Sequence, residues 1–269
     1  AVARGLGSLI AVGFESGDMQ LLNFEGERVT EPAGLDIATL ADGQYGLVAG
    51  ARLTIFAGVD GSGRLNAYVY GGDIEAPIAL PLDIGSPGRV SGLCTGRPID
   101  ETDGVMRLAF WTEGAASRLQ SGRLVEVGDN LVFLADEPVE AARPITACVL
   151  EPLGAKVFAE PVTHAITLER NGRQTLITLD KSGGLTLLGE ANENTEVTIR
   201  DGITVRVPDK VTGFAGTGDA RGGGYPGGLV VVAGAISTSE HRVVLVDPSD
   251  LTLTAFSAPL TGVLPTDQE

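Results

Sequence analysis

Short apolar runs recur along this chain, each closed off by Gly, Asp, Asn or Pro. They include "SLIAVGF" (8–14), "MQLLNF" (19–24), "RLTIFAG" (52–58), "LNAYVYG" (65–71) and "MRLAFWT" (106–112). Further along stand "NLVFLAD" (130–136), "HAITLER" (164–170), "QTLITLD" (174–180), "GLVVVAGA" (228–235) and "RVVLVD" (242–247). Val, Ile and Thr are frequent in them and apolar residues often alternate with polar ones, which is the signature of strands. No amphipathic helix longer than two turns is present, and "DEPVEAARP" (136–144) holds the best candidate for a helical turn. The 38 Gly and 14 Pro act in the same direction, because both interrupt helices and supply turns. A chain built this way is confined to an all-β fold.

The runs have a rhythm. A strand, a loop, a second strand, an Asp/Gly turn and a third strand follow one another in "LIAVGFESGDMQLLNFEGERV" (9–29). The order repeats in "LVVVAGAISTSEHRVVLVDPSDLTLTAF" (229–256) and, more loosely, over 155–188. Units of roughly 40–50 residues are the size of propeller blades. A single four-stranded blade cannot bury both faces by itself, so blades stack on one another. The expectation is an all-β β-propeller of six blades, or five, each a four-stranded antiparallel sheet. A sandwich or solenoid would use similar strands, and the spacing decides between them. No Pro/Ser-rich linker divides the chain, so residues 1–264 read as one domain. Residues 265–269, at the end of "TGVLPTDQE", read as a polar tail or the start of a linker.

Net charge is −16, from 35 acidic and 19 basic residues. Such a surface repels a phosphate backbone, so nucleic acid is not an expected partner. It suits solubility, cations or a basic partner. No 18-residue apolar stretch exists to span a membrane as a helix, and none is expected as a partner. The chain does not open on a signal peptide, although "AVARGLGS" is compatible with a leader already removed. Cys94 and Cys148 lie in the strand-like stretches "SGLCTG" and "TACVLE", outside any Cys-x-x-Cys pair. Buried free thiols are expected there, with one disulfide as the alternative.

Motifs for common chemistries are lacking. His164 and His241 belong to no zinc-hydrolase pattern, and no Gly-x-Ser-x-Gly elbow accompanies them. The glycine cluster "GTGDARGGGYPGG" (216–228) lacks the strand–turn–helix setting and the Gly-Lys-Ser/Thr of a phosphate cradle, and reads as a hairpin tip. "VDGSGRL" (59–65) and "DKSGGL" (180–185) read as hairpin turns rather than calcium loops. "DETDG" (100–104) reads as a solvated loop.

In sequence order, "LIAVGFESGDMQLLNFEGERV", "AGLDIATL" (33–40), "YGLVAGARLTIFAGVDGSGRLNAYVY" (45–70), "VSGLCTG" (90–96), "TACVLEPLGAKVFAEP" (146–161) and the segment 210–247 resemble the β-propeller phytases. Those are six-bladed, calcium-dependent enzymes that remove phosphates from inositol hexakisphosphate. The resemblance covers most of the chain and rests on the order of motifs. It implies carboxylates that hold calcium, calcium that gathers phosphate and activates water, and basic side chains that neutralise the remaining charge. On that basis Arg52 corresponds to a phosphate-binding Arg, and Asp36, Glu151 and Glu160 are the metal-ligand positions that retain an acid.

Much of the family pattern is degenerate. The acidic entry segment is replaced by "AVARGLG", and the lysine-bearing turn by "GFESGD" (13–18). Ala38 stands where an Arg belongs, Pro161 fills half of an acidic pair, and Lys210 and Thr212 stand where carboxylates belong. A basic residue in a calcium site repels the ion. Three functions follow. The first is an auxiliary or weakly active phytase-like domain, such as the incomplete domain beside a full phytase domain in one polypeptide. The second is an active phosphoric monoester hydrolase on phytate or lower inositol phosphates. The third is a non-catalytic propeller module that binds a protein or glycan. The resemblance further implies a secreted or periplasmic protein.

Overall fold

A computed structural model describes residues 1–4, 9–85, 88–100, 104–128, 130–152, 154–170, 173–188, 194–199, 201, 206–219, 224–237, 240–248 and 252–255. The chain forms two compact units, residues 1–157 and residues 158–263. The "TGVLPTDQE" end and the middle of both "DETDG" and the 216–228 cluster lie outside the described residues.

The first unit begins with β1 (Ala3–Arg4), β2 (Ile10–Gly13), β3 (Asp18–Leu22) and β4 (Ala33–Gly34). β2, β3 and β4 pair in order, and Val2 bridges Ile10 antiparallel, so β1 acts as the first strand of this sheet. β1 also runs parallel to the next sheet at Ala3↔Gly43. That second sheet contains β5 (Ile37–Leu40), β6 (Gly43–Val48), β7 (Ala51–Asp60), β8 (Leu65–Gly71) and β9 (Ile74–Pro81). β5 and β6 both pair with β7 and are one strand interrupted at Ala41–Asp42. The interruption turns Asp42 inward. Its carboxylate accepts from the Val2 amide at 2.8 Å and pairs with Arg4 at 3.3 Å, while its carbonyl accepts from Thr95 Oγ1 at 2.5 Å. A buried acid needs such compensation, and here it fastens β1 in place.

The third sheet contains β10 (Val90–Gly96), β11 (Met106–Thr112), β12 (Ala115–Val127) and β13 (Asn130–Ala135), with β14 (Val139–Glu140) also on β12. Residues 139–140 are thus strand, not the expected helical turn: they pair with Arg118 and Leu119. β15 (Ala147–Glu151) and β16 (Gly154–Phe158) form a two-stranded ribbon. Neighbouring sheets share cores. Met19, Leu21, Ile37, Phe56 and Tyr68 pack between the first two. Ile55, Leu65, Val69, Leu108, Phe110 and Phe133 pack between the second and third.

Cys94 and Cys148 form a disulfide, which corrects the expectation of free thiols. β10 and β15 bring the two Cα atoms to 5.7 Å, within bonding range. The 54-residue separation that hid the pair in the sequence is bridged by the whole third sheet.

The second unit contains β17 (Val162–Arg170), β18 (Arg173–Asp180), β19 (Leu185–Leu188) and β20 (Asn194–Thr198), then β21 (Lys210–Thr217), β22 (Leu229–Ala235) and β23 (His241–Val246). β24 (Thr252–Ala255) joins the outer side of β20. Ile166, Ile177, Leu179, Val230, Val232 and Val244 fill the core between the two sheets.

One five-residue turn recurs at 14–18, 23–27, 60–64 and 180–184, as "FESGD", "NFEGE", "DGSGR" and "DKSGG". In each, the first residue's amide donates to the fifth carbonyl, and the amide of the fourth, a glycine, returns to the first carbonyl. The glycines take φ of 80° to 91°, the left-handed bulge position of a three-residue hairpin loop. The turns are also joined to the following sheet. Gly17 carbonyl accepts from Ile37, and Gly63 carbonyl accepts from Val90, each at 2.9 Å. A methyl group on Gly63 would come within 2.8 Å of Arg89 Cβ.

Candidate functional site

Within the first unit, the structure places Asp36 and Arg52 towards opposite ends of one strand. Asp36 precedes β5, where Ile37 faces Asp60 at the far end of β7, whereas Arg52 lies near its start, opposite Leu47. The two positions stand eight residue steps apart along β7, on the order of 26 Å. Asp36 is exposed with φ of 54°, and its carbonyl accepts from Gly61 at 2.8 Å. Arg52 is exposed. Glu151 ends β15, and its backbone carbonyl accepts from Arg107 at 2.7 Å. Glu160 belongs to the second unit, where it pairs with Lys181. Among the described residues, no three His, Cys, Asp or Glu side chains group so as to hold a metal ion.

Two other Asp side chains, one in each unit, serve the turns of the fold. Asp60 Oδ1 accepts from the Ser62 amide and hydroxyl and the Arg64 amide, at 2.6 to 3.0 Å. Asp180 repeats the arrangement with Ser182 and Gly184. Partial burial would raise both carboxyls, but these hydrogen bonds outweigh it and hold them below the ordinary value.

An open cleft in the first unit has a different character. Its volume is about 330 Å³, at the small end for ligand sites. Ile84, Phe110, Trp111, Thr112, Arg118 and Gln120 line it. Its origin is an irregularity between β11 and β12. Phe110 pairs with Gln120, but Thr112 pairs with Ala115, so residues 116–119 leave the ladder. They are held from the other side: Arg118 and Leu119 pair with β14, Ser117 carbonyl accepts from Ala141, and Ala116 carbonyl accepts from Ile145. Such bulges re-aim side chains and often adjoin sites. The peeled segment brings Arg118 to the cleft, and Ile84, in the connection after β9, also lines it.

The lining mixes apolar surface with a few directed polar groups. Phe110 and Trp111 are almost wholly buried. Thr112 contributes a hydroxyl from a position 6% exposed. Gln120 spends its amide hydrogens on the carbonyls of Ser121 and Asp136, leaving its carbonyl oxygen as the group it can offer. Arg118 Nε stands 3.8 Å from Glu140 Oε1, with both side chains more than half exposed. Arg118 lines the cleft and Glu140 stands beside Arg118 just outside that lining, so the pair can donate to and accept from one ligand. Sequence reasoning did not single out these residues. "AASRLQSGRLVEV" lacks a strong strand pattern, and the register irregularity that forms the cleft leaves no mark in a single sequence.

Successive short antiparallel sheets, each first strand following the outer strand of the previous sheet, define a β-propeller. Five sheets of three or more strands qualify as blades among the described residues, and the β15–β16 ribbon stands in the place of another. The expectation of an all-β propeller with six or five blades is met at five. Solved structures share this fold. The Aleuria aurantia lectin, a fungal lectin described as a six-bladed β-propeller with a novel fucose recognition mode, is 13% identical, with 100% of this chain and 95% of that one covered and a TM-score of 0.57. A fucose-specific lectin structure from the same fungus gives 0.54 at the same identity and coverage. AofleA from Arthrobotrys oligospora gives 0.51 at 10% identity, with 96% and 84% covered. At these identities the likeness concerns the fold. No protein-family model matches the chain, and no curated protein does either.

Proposed function

We propose that this chain is a non-catalytic propeller module that binds carbohydrate outside the reducing cytosol. The observation that carries the reading is the cleft on the third blade, where apolar side chains and directed polar groups meet in a volume suited to a small ligand. The separation of Asp36 from Arg52 along β7 weighs against a phosphate-hydrolysing centre in the first unit. Two structures that share the fold are described as fucose-binding lectins, which supports carbohydrate as the ligand class. The Cys94–Cys148 disulfide supports a secreted or periplasmic setting, since such bonds persist in oxidising compartments. The test is retention of the purified chain on immobilised monosaccharides and elution by free sugar. Absence of retention on every sugar overturns the reading.

A second reading follows from Arg52, whose exposed guanidinium could receive an inositol phosphate. In this reading the chain is the auxiliary phytase-like domain of a longer polypeptide, or a calcium-dependent phytase in its own right. Release of inorganic phosphate from phytate, with and without calcium, decides. A calcium-dependent rate that Arg52→Ala abolishes would replace the first reading with this one.

A further inference from the structure

We infer that the cleft on the third blade is the sugar site itself, and that it takes a neutral pyranose by a pair of adjacent hydroxyls at the Arg118–Glu140 rim. This rests on the carbohydrate reading above and adds the residues and the ligand's chemistry.

The polar groups sort by role. At the rim, guanidinium and carboxylate stand 3.8 Å apart, beyond hydrogen-bond length, so neither saturates the other. Two neighbouring hydroxyls can bridge them, one accepting from Arg118 and one donating to Glu140. A carboxylate or phosphate ligand would gain from Arg118 and be repelled by Glu140, on a chain of net charge −16. Among the other lining groups, the Gln120 carbonyl and Thr112 hydroxyl can meet ligand hydroxyls, while Ile84 offers apolar surface to C–H groups. One face apolar and the edge polar is the pattern of a sugar ring. The bulge at 116–119, anchored through β14 and Ile145, holds Arg118 in position before the ligand arrives.

The cleft contains its own reporter. Trp111 is the single tryptophan of the chain and lines the site. Its ring lies over Gly92, where a methyl group would fall 2.2 Å from Cζ2. Tryptophan emission therefore comes from one wall of this cleft, where Trp111 packs against the core that holds Leu119 and the Cys94–Cys148 disulfide.

The experiment titrates the full chain with L-fucose, D-galactose, D-mannose and N-acetyl-D-glucosamine, following tryptophan emission and, in parallel, heat of binding. At least one sugar should give a saturable emission change that matches the calorimetric curve. Arg118→Ala should weaken it about tenfold or more, the loss expected when a charged hydrogen-bond donor is removed. Ala115 also lines the cleft; Ala115→Phe, which fills it, should abolish the change, and Arg242→Ala, in the second unit, should leave it unchanged. Circular dichroism of each variant checks that the fold is kept. A sugar that binds by calorimetry with no change in emission, and equally well to Arg118→Ala and Ala115→Phe, overturns this site while leaving carbohydrate binding intact. No binding of any sugar by either method overturns both.

Discussion

Asp60 shows how a single carboxylate can be spent on a turn. It accepts three hydrogen bonds within five residues, and Asp180 does the same in the second unit. Asp60→Ala should cost about 1–2 kcal/mol in chemical denaturation. Both carboxyls titrate below the ordinary value of 3.8 in the fold. A depressed folded value means that their stabilisation is complete above that ordinary value and is lost as pH falls through the folded values. The wild type should thus lose stability below about pH 4, and Asp60→Ala/Asp180→Ala should lose less over that interval. A double variant with an unchanged acid slope would contradict this. Tyr68 is the converse case. It is fully buried, and its hydroxyl meets no partner in good hydrogen-bonding geometry, with Asn66 near enough only to ease its ionisation slightly. Burial, with Asp60 and then Asp36 adding negative potential, pushes its ionisation up to about 12. Tyr68→Phe should be neutral or stabilising, because it removes an unsatisfied buried group. Destabilisation by more than about 1 kcal/mol would show that the hydroxyl has an unseen role.

At the scale of strands and bridges, legibility followed burial. β8 and β11 have the same bounds in sequence and structure, because "LNAYVYG" and "MRLAFWT" are apolar enough to announce themselves. β9 escaped notice: Pro77 and Pro81 are tolerated there because the strand is the outer edge of its sheet. β12 escaped for another reason. Its Ser and Gln residues and Arg123 are half-buried, Arg118 is exposed, and its register breaks midway. The disulfide was open in the sequence and settled only by the adjacency of β10 and β15. Closing a loop of 54 residues, it should contribute about 4 kcal/mol in the chain-entropy account. Cys94→Ala/Cys148→Ala should lose that amount on denaturation, and the wild type should show no reactive thiol before reduction.

For the whole molecule, the propeller class was readable because every blade needs the same alternation of short strand and tight turn. The function was not equally readable. The order of phytase-like motifs is a property of the blades, and blade strands recur for packing reasons whatever the ligand. The charge of −16 gives a discriminating measurement at this scale. Affinity for a neutral sugar should stay constant from about 0.05 to 0.5 M salt, since no net charge is exchanged with the medium. Affinity for phytate, if present, should change steeply over the same range.

The turns that donate a carbonyl to the next sheet bear on where this chain can be cut. Opening the backbone at 14–18 would sever a hydrogen bond of the second sheet while seeming to touch only the first, because Gly17 holds Ile37. The wiring of 23–27 is the same, but its bonds close on themselves. A protease site or a new terminus belongs in that second loop, where a nick stays a local event. Two loops alike in sequence and shape thus differ as seams: one can be unpicked, and the other holds two pieces of cloth together.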